Sequence, residues 1–125
     1  MDENAVATRV IGAAIEVHRS LGPGLLESAY HDCLVHELRL QGLPFEREVP
    51  IALDYKGMVV GAAYRADLLG ANKLLVELKT VDRLLPVHTA QLATYLHLMD
   101  RKLGLLINFN VSRLKDGVRR VANDL

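Results

Sequence analysis

The chain has 125 residues, half of them hydrophobic and 24% charged, and its 15 basic and 15 acidic side chains cancel to zero formal charge. This suits one globular domain spanning 1–125 and excludes a uniformly basic coat for nucleic acid; no run reaches the length of a membrane span, so no membrane partner is expected. A lone Cys33 excludes an internal disulfide and a cysteine metal cage, and the acidic start MDENAVATRV lacks the basic-then-apolar order of a secretory signal, so a cytoplasmic protein is expected.

In chain order, AVATRVIGAAIEVHRS (5–20) sets Val6, Val10, Ala13, Ala14 and Val17 at helical spacing, and LGPG (21–24) breaks that helix. A second helix is predicted from about Leu25 to Gln41, with Tyr30, Cys33, Leu34 and Leu38 inward and Gly42 in the C-cap region. The period then becomes extended. FEREVPIAL (45–53) and MVVGAAYRADLL (58–69) flank a DYKG turn, GAN (70–72) is a second turn, and KLLVELKTV follows. Pro86 opens a helix with Leu92, Tyr95, Leu96 and Met99 on one stripe, LGLLINFN (103–110) is a short apolar strand, and GVRRVAN supplies an edge strand. A meander, a crossover helix and a further strand predict a mixed sheet in an α/β domain.

The run LLVELKTV (74–81) poses a chemical question, because Glu77 and Lys79 interrupt an apolar strand on one side. Leu74, Val76 and Leu78 are expected to face the core, and Leu75, Glu77, Lys79 and Val81 the other side. With GAN as a three-residue turn, Asp67 falls opposite Leu75 and diagonal to Glu77, on the same face; a two-residue turn would put it on the opposite face. Two carboxylates and a lysine converging suit Mg²⁺ or Mn²⁺ and phosphodiester hydrolysis. An isolated D…ExK is more often a solvated salt bridge, Glu77–Lys79 or Asp67–Lys79.

Residues Gly24-Leu-Leu-Glu27-Ser-Ala-Tyr30 resemble the motif that names the GxxExxY protein family, within the PD-(D/E)XK nuclease superfamily. The likeness runs on through ELRLQGLPFEREVP, YKGMVVGAAYRADLL, LLVELKTV, HTAQLATYLHLM and LGLLINFNVSRLKDGVRRV, from about Ile11 to Asn123. It implies a restriction-endonuclease-like core, α-β-β-β-α-β, with a mixed central sheet flanked by helices. It also implies that Asp67 and Glu77 bind the metal, that Lys79 completes the (D/E)xK pair, and that the Leu78 carbonyl joins the metal shell. Glu27 is implied near the metal, directly or through water, and Gln91 and Tyr95 resemble the QxxxY element of RecB-type and λ-exonuclease-like members. Ala66 stands where the motif's proline would be.

Gln91 and Tyr95, four apart, share a helix face, where they would bind a phosphate or support Lys79 and Glu77; the plainer alternative is a surface glutamine and a core tyrosine. His88 is expected to line the site, His31 and His36 to face solvent or the helix flank, and His18 to sit at a helix end where its charge suits the dipole. Tyr30 is expected to pack with a polar tip, and Gly22 and Gly24 to serve backbone conformation. No HExxH, P-loop or nucleophile-elbow pattern is present. Residues 1–50 carry eight acidic and four basic side chains, and residues 101–125 two and six, so the C-terminal end offers a local phosphate-facing patch or a solvated surface.

These features lead to a metal-dependent nuclease, and the resemblance implies DNA rather than RNA as its substrate. The alternatives are a catalytically weak or inactive nucleic-acid-binding or regulatory module, and a structural domain whose ExK pair is a salt bridge. Presenting two sites to a duplex would take a homodimer, with the first helix or LGLLINF as its interface.

Overall fold

A computed structural model of the protein describes residues 1–125, the side chains of Ala62 and Ala63 excepted. Helix α1 (Glu3–Leu21) begins where Asp2 Oδ1 accepts the Ala5 N–H at 2.8 Å, and it buries the stripe Val6, Val10, Ala13, Ala14 and Val17. Helix α2 (Glu27–Leu40) turns Tyr30, Leu34, Val35 and Leu38 inward, while Cys33 is only half-buried. A meander follows: β1 (Phe45–Tyr55), β2 (Met58–Gly70) and β3 (Leu74–Lys79). Helix α3 (Pro86–Met99) then crosses over to β4 (Leu103–Asn108), and a short 3-10 turn at Leu114–Gly117 leads to β5 (Val118–Ala122).

The strands lie in the order β1-β2-β3-β4-β5, with only the β3–β4 pair parallel. This is the expected mixed α/β architecture of restriction-endonuclease type. Helices α1 and α2 cover one face, where Leu74, Val76, Leu78, Leu103, Leu105 and Ile107 meet them. Helix α3 covers the other, where Leu92, Tyr95 and Leu96 pack on Leu75 and Leu106. Both faces of β3 are therefore buried, as a strand inside a parallel crossover requires. The expectation that only its even positions face a core is corrected accordingly. So is the use of LGLLINF as an interface: β4 is central, and every residue in it is buried.

The second turn also differs from expectation. Ala71 and Asn72, both with left-handed backbone (φ 49 and 58), and Lys73 form it, while Gly70 ends β2 opposite Leu74. The β2–β3 register, Leu69 with Leu75 and Leu68 with Val76, is thus displaced by two residues from the predicted one. An even displacement preserves the face. It moves Asp67 from diagonal to directly opposite Glu77.

One glycine governs how closely α3 approaches the sheet. A Cβ at Gly104 would lie 2.9–3.0 Å from three side-chain carbons of the fully buried Leu92. Gly104→Ala is expected to destabilise the fold by about 1–3 kcal/mol, the usual range for overpacking, readable as a lower urea midpoint at unchanged m-value.

Candidate functional site

The ladder between β2 and β3 ends at Leu68↔Val76. Past that point each strand's carboxylate takes up a backbone N–H of the other. The Asp67 N–H donates to Glu77 Oε1 at 2.9 Å, and the Leu78 N–H donates to Asp67 Oδ2 at 2.7 Å. These bonds satisfy backbone groups that the open ladder would orphan, and they fix both side chains. Asp67 Oδ1 and Glu77 Oε2 take no protein hydrogen bond among the described residues.

The electrostatics are strained. Glu77 is 6% exposed. Burial first, and then the Asp67 charge, push its carboxyl up to about 8. Asp67 is also raised, by burial above all, against the lowering effect of the Leu78 N–H and of the His31 and Lys79 side chains. Glu27 stands exposed at the first turn of α2, and partial burial and Asp67 still raise its carboxyl. Lys79 is half-buried and lowers all three acids without forming an ion pair to any of them among the described residues. The simple salt bridge that an ExK pattern allows is therefore not what this strand contains.

The motif around Glu27 divides into frame and head group. Gly22 and Gly24 hold positive φ (68 and 99) in the loop before α2. The buried Tyr30 hydroxyl donates to the Gly22 carbonyl, accepts the Leu25 N–H at 3.2 Å, and its ring stacks on Phe109 at 4.5 Å. Gly24 and Tyr30 thus shape the loop that delivers Glu27 to the acidic pair.

On α3, Tyr95 is buried, and its hydroxyl is raised by burial first and by Glu77 second. Gln91 is exposed and lines a cleft with Tyr95 rather than bonding to Glu77 or Lys79. His88, expected in the site, is a helix cap instead: its Nδ1 accepts the Leu85 N–H at 3.0 Å. His88→Ala is expected to lower stability by about 1 kcal/mol, as loss of a cap does, and to leave any activity unchanged; urea titration beside the activity assay checks both.

A family model described as the PD-(D/E)XK nuclease superfamily matches residues 4–121. The chain belongs to that superfamily. Among solved structures, the crystal structure of SSO0001 is similar over 78% of this chain, at 26% identity and a TM-score of 0.60; the chain spans 50% of the length of that protein. No curated protein sequence matches. PD-(D/E)XK nucleases generally use divalent metal ions. No helix among the described residues is long and apolar enough to cross a membrane.

The donor set fits such an ion. Asp67 and Glu77 offer hard oxygen donors, each with an oxygen free of protein hydrogen bonds, and burial above all raises both carboxyls. Among the described residues no group of three or more His, Cys, Asp or Glu side chains is gathered for a metal. The acids form a pair with Glu27 at the rim, which suits a cation that keeps several waters.

Two participants escaped the sequence reading. His31 was expected to face solvent or the helix flank, yet it is half-buried, its Nε2 is enclosed without a partner, and its side chain lies where it lowers the Asp67 and Glu27 carboxyls. Its position four residues after Glu27, on the same helix face, was the available signal. Asn108, buried beside Lys79 in the β3–β4 register, binds both backbone groups of Val81, accepting its N–H at 3.1 Å and donating to its carbonyl at 2.9 Å. It thereby fixes the chain just beyond Lys79. His18 lies in the last turn of α1, as expected; it is buried there, and its Nε2 bonds the Val111 carbonyl at 2.8 Å.

Proposed function

We propose that residues 1–125 are one nuclease domain that hydrolyses DNA phosphodiester bonds with Mg²⁺ or Mn²⁺. The observation that carries this reading is the facing pair Asp67 and Glu77, each tied to the other strand's backbone and each raised by burial above its ordinary carboxylate range. In this reading Asp67, Glu77 and the Leu78 carbonyl hold the metal, with Glu27 reaching it through water. The ion would supply polarisation of the phosphate and charge stabilisation of the leaving oxygen.

The chain's own groups do the rest. Lys79 presents an ammonium beside the acids, where it orients the attacking water and offsets developing negative charge. Gln91 and Tyr95 support the phosphate or the site from α3. Arg83 and Arg119 line a separate cleft of about 340 Å³, where Asp82 and Asp116 balance their charge. Gly24, Glu27 and Tyr30 support membership of the GxxExxY group, and Gln91 with Tyr95 a RecB-type or λ-exonuclease-like subtype. We place the protein in the cytoplasm, with its lone cysteine half-buried. A homodimer is the form that would reach both strands of a duplex, through surfaces other than β4.

Plasmid, linear duplex and single-stranded DNA, with RNA alongside, incubated with Mg²⁺ or Mn²⁺, test the reading. Cleavage that EDTA abolishes is expected. Nucleic-acid binding that needs no metal and gives no cleavage would instead establish the regulatory module.

A further inference from the structure

We propose, resting on the nuclease reading, that the cleft between the β1–β2 arm and α3 receives one unpaired base of the bound strand, stacked on Tyr64. The cleft has a volume of about 290 Å³ and is lined by Leu53, Tyr64, Gln91, Thr94, Tyr95 and Leu98. Tyr64 projects from β2 three residues before Asp67 and remains 44% exposed. Its ring centre lies 6.0 Å from that of Tyr95, inclined by 51°.

Three features choose this occupant. Tyr95 belongs to both places: it lines the cleft, and its hydroxyl feels Glu77 and Asp67, so an occupant lies next to the phosphodiester site. The walls are aromatic and aliphatic with a few polar groups at Gln91 and Thr94, the composition of a pocket for a flat heterocycle with hydrogen-bonding edges. The Tyr64 face is open, and an open aromatic face beside a phosphate-binding surface is how single-stranded nucleic acid is gripped without regard to sequence. A base inside a duplex is already stacked on its neighbours and cannot enter, so the cleft selects single strands, frayed ends or extruded bases.

The chain contains no tryptophan, so Tyr64→Trp creates a single fluorescent reporter. It is titrated in EDTA with oligo(dT) of about 12 nucleotides, with oligo(U), with the same dT strand carrying abasic residues, and with a blunt duplex. Quenching by the single strands and not by the duplex is expected, weaker where the base is missing; the dT and U arms show whether the sugar matters. Tyr64→Ala is expected to lose about tenfold in single-strand affinity, Tyr64→Phe to retain it, and the wild-type penalty for an abasic residue to vanish in Tyr64→Ala. An unquenched reporter in a protein that binds and, with metal, cleaves DNA overturns the base site and leaves the nuclease reading intact. Quenching without cleavage in Mg²⁺ or Mn²⁺ supports the base site and removes the nuclease reading. A wild type that neither binds nor cleaves removes both. A dimer in sedimentation that Tyr64→Ala dissolves assigns the cleft to a second copy and overturns the proposal.

Discussion

Asp67→Asn is expected to reduce metal-dependent cleavage by on the order of a thousandfold, the several kcal/mol that ion-assisted charge stabilisation contributes, while raising thermal stability. The two signs follow from one geometry. The substituted amide keeps an oxygen for the Leu78 N–H, so the crossing of β2 and β3 survives. It removes a charge whose own carboxyl burial above all holds above its ordinary value, and which above about pH 8 also repels ionised Glu77. Loss of activity with gain of stability is the mark of a residue kept for chemistry at a cost to the fold. Lys79→Ala is expected to lose about a hundredfold or more, the scale of removing one preorganised stabilising group. Its stability should fall, because the ammonium lowers Asp67, Glu77 and Glu27 alike. Initial rates in Mn²⁺, read beside melting temperatures, separate the variants. Cleavage that persists in both variants sinks the assignment.

The fold was legible because periodicity reports burial. Helical stripes in α1, α2 and α3 and apolar runs in β3 and β4 each admitted one reading, and the crossover between parallel strands followed from their order. The β2–β3 turn was misplaced because glycine usually marks a turn. Here Gly70 lies within β2, where a Cβ would come within 3.4 Å of Val6, and the left-handed positions fall on Ala71 and Asn72. That Asp67 and Glu77 meet was legible because charge inside an apolar strand needs a reason, and because the register error preserved parity. His31 and Tyr64 were missed on other grounds. Half-exposed residues carry no periodic signal, and their importance depends on which side chains face them across elements distant in sequence. His88 was misassigned because three-residue spacing from Gln91 placed it on the right helix face, whereas its position in the first turn of α3 gave its ring nitrogen a backbone donor nearer at hand.

Glu77→Gln is expected to stabilise the metal-free protein at alkaline pH and to have little effect near pH 5. The folded-state carboxyl is pushed up to about 8 from an ordinary value of 4.5. Between those values the folded protein holds a proton that the unfolded chain has released, so its stability falls as pH rises through that window. Below about 4.5 both states are protonated, and the neutral carboxylic acid of Glu77 resembles the variant's amide. Above about 8 the wild type carries a buried charge beside Asp67 that the variant lacks. Each unit of displacement is worth about 1.4 kcal/mol, and after relaxation of the site the gain at pH 9 is expected on the order of 2–4 kcal/mol. The variant's amide retains an oxygen for the Asp67 N–H, so the comparison isolates the charge. Adding Mn²⁺ at pH 9 should raise the melting temperature of the wild type and not that of Glu77→Gln, because an ion that binds only the native state stabilises it. At pH 6 a proton competes for the same oxygens, so the wild-type shift should shrink and cleavage should decline with it. Melting curves from pH 5 to 9 with and without Mn²⁺ test this. A Glu77→Gln protein that gains nothing at pH 9, or a wild type indifferent to Mn²⁺ there, means that the buried carboxylate is not waiting for a cation.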